Sequence, residues 1–207
     1  MNLLHIDSSV RTTTSQSRKL ASQFASQWQH FHPQATRTYR DVNANPPPHP
    51  TEAYTVANYT PPDLRTDAMR FALAESDALI NELIAADLVV FSIPMYNFSI
   101  PSTFKAYIDN LVRVGRTFSV GADGQFEGLL KGKKVLIVTT RGAMYGQGSP
   151  IAALDYQVPY LRTVLGFMGL DQIRFVNADG MDFGTPEYKV ASLETAAKHL
   201  QELAQQW

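Results

Sequence analysis

Apolar residues recur along this chain in two periods. Leu3 to Asp7, Leu88 to Ile93 and Lys134 to Thr139 are short apolar runs, the pattern of strands buried on both faces. Thr36 to Val42 alternates, and a further strand is expected near Gln172 to Asn177. Between these the spacing becomes helical. Leu20, Phe24 and Trp28 follow Ser15, a plausible N-cap; Met69, Leu73, Leu79, Leu83 and Ile84 form a stripe over Thr66 to Ala85. Phe104, Ile108, Leu111 and Val112 follow Pro101, a residue favoured at a first helical position. Ile151 to Met168 and Pro186 to about Gln205 read as the remaining helices, and Thr117 to Phe126 as a small hairpin around Ala122-Asp123-Gly124.

Five strands alternating with helices predict an α/β fold, a five-stranded parallel sheet in a three-layer αβα sandwich with right-handed crossovers. The flavodoxin-like strand order 2-1-3-4-5 would open a crevice between the first and third strands, at their C-terminal ends. The 207 residues suit one domain, 1–207. The stretch Asn43 to Pro62, with Pro46, Pro47, Pro48, Pro50, Pro61 and Pro62, is longer than a compact domain usually leaves unstructured. It reads either as a lid or pocket wall, or as a stiff surface connector.

Composition removes several classes of function. Eighteen basic against nineteen acidic residues leave a net charge of −1, which gives nucleic acid or an anionic membrane no electrostatic footprint. With no cysteine there are no disulfides, thiolate metal sites or cysteine nucleophiles, so redox chemistry would have to come from a bound group. The five histidines match no H-E-x-x-H spacing, and no metal is expected. Met1 to His5 runs straight into a strand without a basic leader, and no apolar run reaches the length of a membrane span, so a cytoplasmic protein is expected. Lys131-Gly132-Lys133-Lys134 reads as a solvated turn.

Three loops carry candidate chemistry. Ser8 to Ser17 holds seven hydroxyls in ten residues and ends at a helix start, where unpaired N–H groups and a partial positive charge of about half a unit suit a phosphate. Hydroxyl-rich segments also cap helices with no ligand at all. The dinucleotide and Walker glycines are absent, which favours a monophosphate over a diphosphate. Pro94-Met95-Tyr96-Asn97-Phe98-Ser99-Ile100-Pro101 offers aromatic surface and main chain after the third strand. Thr140-Arg141-Gly142-Ala143-Met144-Tyr145-Gly146 follows the fourth, with Gly142 permitting close backbone approach. All three fall at the same sheet edge. A flat ring system joined to a monophosphate fits them together, and flavin mononucleotide (FMN) has that form.

Ser9 with Ser15-Gln16-Ser17, then Met95-Tyr96-Asn97-Phe98, then Thr140-Arg141-Gly142-Ala143, with Tyr160-Leu161 and Leu165-Gly166-Phe167-Met168-Gly169, occur in the order seen in bacterial FMN-dependent NADH:quinone oxidoreductases, also called azoreductases. The chain resembles that family over nearly its whole length. The resemblance implies that the first three groups bind one FMN per subunit. It also implies that NADH reduces flavin N5 with no obligatory catalytic side chain, and that quinones or azo compounds take two electrons in a ping-pong cycle. It further implies a homodimer with its sites at the subunit interface, where Phe118, Tyr145 and Phe167 are candidate substrate-pocket walls. Thr140 and Ala143 stand where the family commonly has Ser and Gly, and Val120 where it often has Tyr. A flavodoxin-like FMN electron carrier is the alternative; such carriers are usually acidic, and the near-neutral charge and proline-rich segment weigh against it.

Overall fold

Strands that are apolar at nearly every position have to lie inside a sheet covered on both faces. In the computed structural model, which describes residues 1–146 and 148–207, they do. The chain runs β1 (Asn2–Asp7), α1 (Gln16–Phe31), β2 (Thr36–Asp41), α2 (Glu52–Tyr59), α3 (Asp67–Ala85), β3 (Leu88–Pro94), α4 (Ser102–Leu111), β4 (Phe118–Val120), β5 (Phe126–Gly128), β6 (Lys134–Thr140), α5 (Gln157–Phe167), β7 (Gln172–Ala178) and α6 (Pro186–Gln206). The main sheet has the order β2-β1-β3-β6-β7 with every pairing parallel, and β4 and β5 form a separate antiparallel hairpin. Counting only the main sheet, this is the expected order 2-1-3-4-5.

Alternation along the strands feeds two cores. Leu4, Ile6, Phe91 and Ile137 point toward α3, α4 and α5, whereas Leu3, Val90, Leu136 and Val138 point toward α1 and α6, meeting Phe24, Trp28 and Leu200. The register sets Asp7 beside Asp41 on one side and Ser92 on the other, Pro94 beside Thr140, and Thr140 beside Ala178. The strand ends therefore finish level, and the loops leaving them share one edge.

The structure departs from the sequence reading in four places. Within Asn43 to Pro62 lies α2, capped by the Thr51 hydroxyl, with Tyr54 and Ala57 buried against Leu73 of α3. Asn110 Nδ2 donates to the Pro48 carbonyl at 2.8 Å and Arg65 Nε to those of Ala57 and Thr60, so this segment is a tied connector. The helix expected from Ile151 starts at Gln157, because the Asp155 carboxylate accepts the N–H groups of Gln157 and Val158 and ends the preceding 3-10 turn there. Pro101 occupies the cap rather than the first helical position of α4. Lys133 is not merely solvated: its ammonium donates to the Ile84 and Ala86 carbonyls at the end of α3, and burial lowers its pKa.

The hairpin docks at the sheet's N-terminal edge by close backbone approach. A Cβ on Gly128 would lie 2.1 Å from the Gly169 nitrogen, and Leu130 N–H donates to the Met168 carbonyl at 2.9 Å. Gly128→Ala is expected to push the hairpin off this seat and cost about 1–3 kcal/mol, as overpacking does. A urea titration reads this; an unchanged midpoint would show that the contact is not needed.

Candidate functional site

The first loop is shaped by β1 stopping at Asp7 and α1 starting after Ser15. The Ser15 hydroxyl accepts from Arg18 N–H at 3.4 Å and contacts the Ser17 hydroxyl at 3.1 Å. Among the described residues the N–H groups of Gln16 and Ser17 have no partner, so the start of α1 presents free donors. Tyr96 of the second loop reaches across: its hydroxyl lies 3.3 Å from Ser9 Oγ and accepts from Val10 N–H at 3.2 Å.

The second loop is strained. Tyr96 and Ser99 exchange two backbone hydrogen bonds of 3.0 Å each, and the two residues between them, Asn97 and Phe98, have φ of 48° and 69°. A turn with both central residues at positive φ suits Asn-Gly, and a phenylalanine held there costs about 1–2 kcal/mol. The N–H groups of Asn97 and Phe98 find no partner among the described residues. From below, Gln157 at the start of α5, fully buried, donates Nε2 to the carbonyls of Ile93 and Pro94 at 3.2 and 3.1 Å.

The third loop is braced by charge. Arg141 forks onto Asp179 through Nε and Nη2, at 2.5 and 2.8 Å, while Nη1 donates to Asp155 at 2.8 Å; the side chain is buried. Asp179 also accepts Tyr145 N–H at 3.0 Å. The Arg141 guanidinium is thus spent inside the protein, and it shapes the loop from beneath. Gly142 is needed for neighbours of its own: a Cβ there would lie 2.9 Å from Asp182 Oδ2, while its carbonyl accepts from Asp182 and Phe183. Ala143 does not have a positive φ, so its backbone does not call for glycine.

These loops enclose a crevice of about 220 Å³ lined by Ser9, Ser15, Gln16, Met95, Tyr96, Thr140, Arg141 and Gly142 among the candidates. Ser17 stands behind Ser15, and Asn97 lines an adjoining cavity of about 460 Å³ with Tyr96 and Tyr160. Phe98 lines neither cavity and is 46% exposed. Ala143 is not in the crevice wall, and neither is Tyr145, whose ring centroid is 5.5 Å from the Arg141 guanidinium carbon. Phe118 and Phe167 are not brought to this edge: they pack with Phe126 at the hairpin, at centroid distances of 4.7 to 6.1 Å. The structure adds Met181, Asp182 and Lys189, which follow β7, and Arg11. Applying the strand-end argument to the fifth strand as well as the first, third and fourth would have found the first three.

Beneath the first loop lies a buried network. The Arg18 guanidinium donates to both Asp41 oxygens, at 2.7 and 2.9 Å, and to Asp7 at 3.3 Å, while Tyr39 donates its hydroxyl to Asp7 at 2.9 Å. Arg37 donates to His5 Nδ1 at 2.7 Å, which leaves Nε2 facing Asp7 at 3.3 Å. Burial alone raises the Asp7 carboxyl, but the His5 imidazole 3.3 Å away and the hydrogen bond from Tyr39 bring it below the usual value. Asp41 is likewise lowered, burial being outweighed by Arg18 and by the N–H groups of Ala44 and Asn43. Burial and Asp7 push Tyr39 up to about 12.

Comparison with known proteins agrees with this arrangement. Residues 1–204 match the family model described as flavodoxin-like fold. The chain is 53% identical over 184 residues, 88% of each chain, to "FMN-dependent NADH:quinone oxidoreductase 2" of Trichormus variabilis. It is 46% identical over the full length of both chains to the "FMN-dependent NADH:quinone oxidoreductase" of Nostoc punctiforme. An azoreductase crystal structure from Bacillus anthracis superposes with a TM-score of 0.91 at 25% identity, covering 100% of this chain and 99% of that one.

Two outcomes are expected. Phe98→Gly relieves the turn, and unfolding in guanidinium should show stability unchanged or raised by up to about 1 kcal/mol; a clear loss would mean that the ring's packing outweighs the strain. The lowered carboxyls of Asp7 and Asp41 stabilise the fold above their unfolded value of 3.8, and that contribution disappears as pH falls through their still lower folded values. Asp41→Asn should therefore trail wild type by about 1.5–3 kcal/mol at pH 6, a gap that narrows as pH falls below 3.8. A gap independent of pH would mean that the carboxylate charge is not what stabilises this corner.

Proposed function

Because the chain belongs to the flavodoxin-like family of FMN-dependent NADH:quinone oxidoreductases, we propose that residues 1–207 form one domain whose crevice seats FMN, with the phosphate at the start of α1 and the ring edge along the second and third loops. The activity is NADH:quinone oxidoreduction, with reductive cleavage of aromatic azo compounds. FMN held there by the first, second and third loops would supply two-electron transfer from NADH to the acceptor.

The donor set suits this group. Free N–H groups of Gln16 and Ser17, with the hydroxyls of Ser9 and Ser15, form an anion seat at the positive end of α1. The unpaired N–H groups of Asn97 and Phe98 supply donors to a polar ring edge, and the strain of their turn keeps them turned away from the chain's own carbonyls. Fixed main-chain donors of this kind favour negative charge on a reduced ring as they would an oxyanion. Met95 and Tyr96 offer apolar surface beside it, while Gln157 and Arg141 hold the two loops from beneath so that little reorganisation is needed on binding. The observation that carries this reading is that loops leaving three different strand ends line one crevice, with free N–H groups at the start of α1 on one side of it.

The finer assignments are a ping-pong order, a cytoplasmic setting, where NADH is maintained, and a homodimer. Among the described residues no helix is long and apolar enough to cross a membrane. The cluster of Phe118, Phe126 and Phe167 sits at the N-terminal edge of the sheet, with Phe126 64% exposed, and cannot wall the crevice of its own chain. Its place in this reading is over the partner's site.

The purified protein is expected to be yellow, to bleach on anaerobic addition of NADH and to recover colour with a quinone. Initial rates should give parallel double-reciprocal lines for NADH against quinone. A colourless chain that takes up no added FMN rejects the function, and intersecting lines reject the ping-pong order.

A further inference from the structure

The first loop is exposed at every residue from Val10 to Thr14, so its shape depends on what fastens its ends. At the α1 end Ser15 caps the helix; at the strand end Ser8 donates its N–H and hydroxyl to the Ser92 carbonyl at 3.1 and 2.9 Å. Between them lies Ser9, whose hydroxyl lines the crevice and whose carbonyl points the other way, into the protein. There Arg18 Nη2 donates to it at 2.6 Å.

Arg18 does not line the crevice. Its guanidinium is held by both oxygens of Asp41 and one of Asp7, and it bonds Tyr39 at 3.3 Å. Asp41 is itself tied to the N–H groups of Asn43 and Ala44 at 2.9 and 3.1 Å. The fork therefore joins three segments, the end of β2, the first turn of α1 and the strand end of the phosphate loop, in one rigid plane. Only a planar group with donors on several sides can serve these directions at once.

We propose that Arg18 is a positioning residue for the cofactor: anchored on Asp41 and Asp7, it fixes the Ser9 main chain so that the Ser9 hydroxyl and the N-terminus of α1 converge on one phosphate. The proposal rests on the FMN seat described above. It assigns to the buried network under the first loop a role beyond holding the fold together, and it makes that role specific to the phosphate end of the ligand.

FMN and riboflavin share the ring and differ in the phosphate, so comparing them separates positioning from general stability. Arg18→Lys keeps the positive charge for Asp7 and Asp41 and removes the fork. Flavin released on serial dilution of the loaded full-length protein, read by its fluorescence, gives the dissociation constant for FMN, and competition gives that for riboflavin. Arg18→Lys is expected to weaken FMN at least tenfold and riboflavin less than threefold, while the rate with NADH and a quinone at saturating FMN stays within about twofold. Asp41→Asn, which loosens the anchor without touching the loop, should give the same phosphate-selective loss at smaller size, and it carries the test if Arg18→Lys does not fold. Equal losses for both flavins, or none, in the variant that folds overturns the proposal. Should wild type bind riboflavin as tightly as FMN, the phosphate seat itself is wrong and the proposal falls with it; if wild type prefers FMN and the folded variant keeps that full preference, only the proposal falls.

Discussion

Parallel pairing is the constraint from which the site follows. A strand that runs parallel to its neighbour must be followed by a crossover, and each crossover in this chain leaves from the same edge of the sheet. The edge thereby collects the loops after β1, β3, β6 and β7, the longest of them running from β6 to α5. It also collects their polar main chain, which has no further strand to pair with. Where Thr140 and Ala178 finish level with Pro94, the chain has to turn away, and residues of those turns line the crevice together.

Donors left unpaired by the ladder must be held open by something other than the ladder. In this protein buried charge and buried amide do that work. Arg141 with Asp155 and Asp179 lies under the third loop, Gln157 under the second, and Arg18 with Asp7 and Asp41 under the first. Removing one partner of such a pair is costly, because the other is left less fully neutralised in a buried place. Such groups are therefore rigid fixtures, and they let the residues above them, Phe98 among them, sit in conformations they would not choose alone.

Much of this was legible from the residues. The continuous apolar runs at Leu88 to Ile93 and Lys134 to Thr139 admit little else than buried strands, and strand order places the loops. The eight residues of α2 were hidden because prolines on both flanks mask so short a period, and the buried faces of Tyr54 and Ala57 become meaningful only against Leu73. The start of α5 lies six residues beyond Ile151, since Asp155 caps it through a side-chain bond that apolar spacing does not report. The guanidinium of Arg141 has the look of a ligand group in the sequence, and its turn inward depends on Asp179, thirty-eight positions away. Partners so distant in the chain leave no periodic trace.

The helix α5 joins two of these features. Its last residue, Phe167, belongs to the aromatic cluster, and Gly169 just beyond it meets Gly128 of the hairpin; its first, Gln157, clamps the strand end that leads into the second loop. Eleven residues of helix make a rod of about 16 Å, stiff over that length. The aromatic cluster at one edge of the sheet and the strand end that leads into the second loop at the other are thus held by the two ends of one helix.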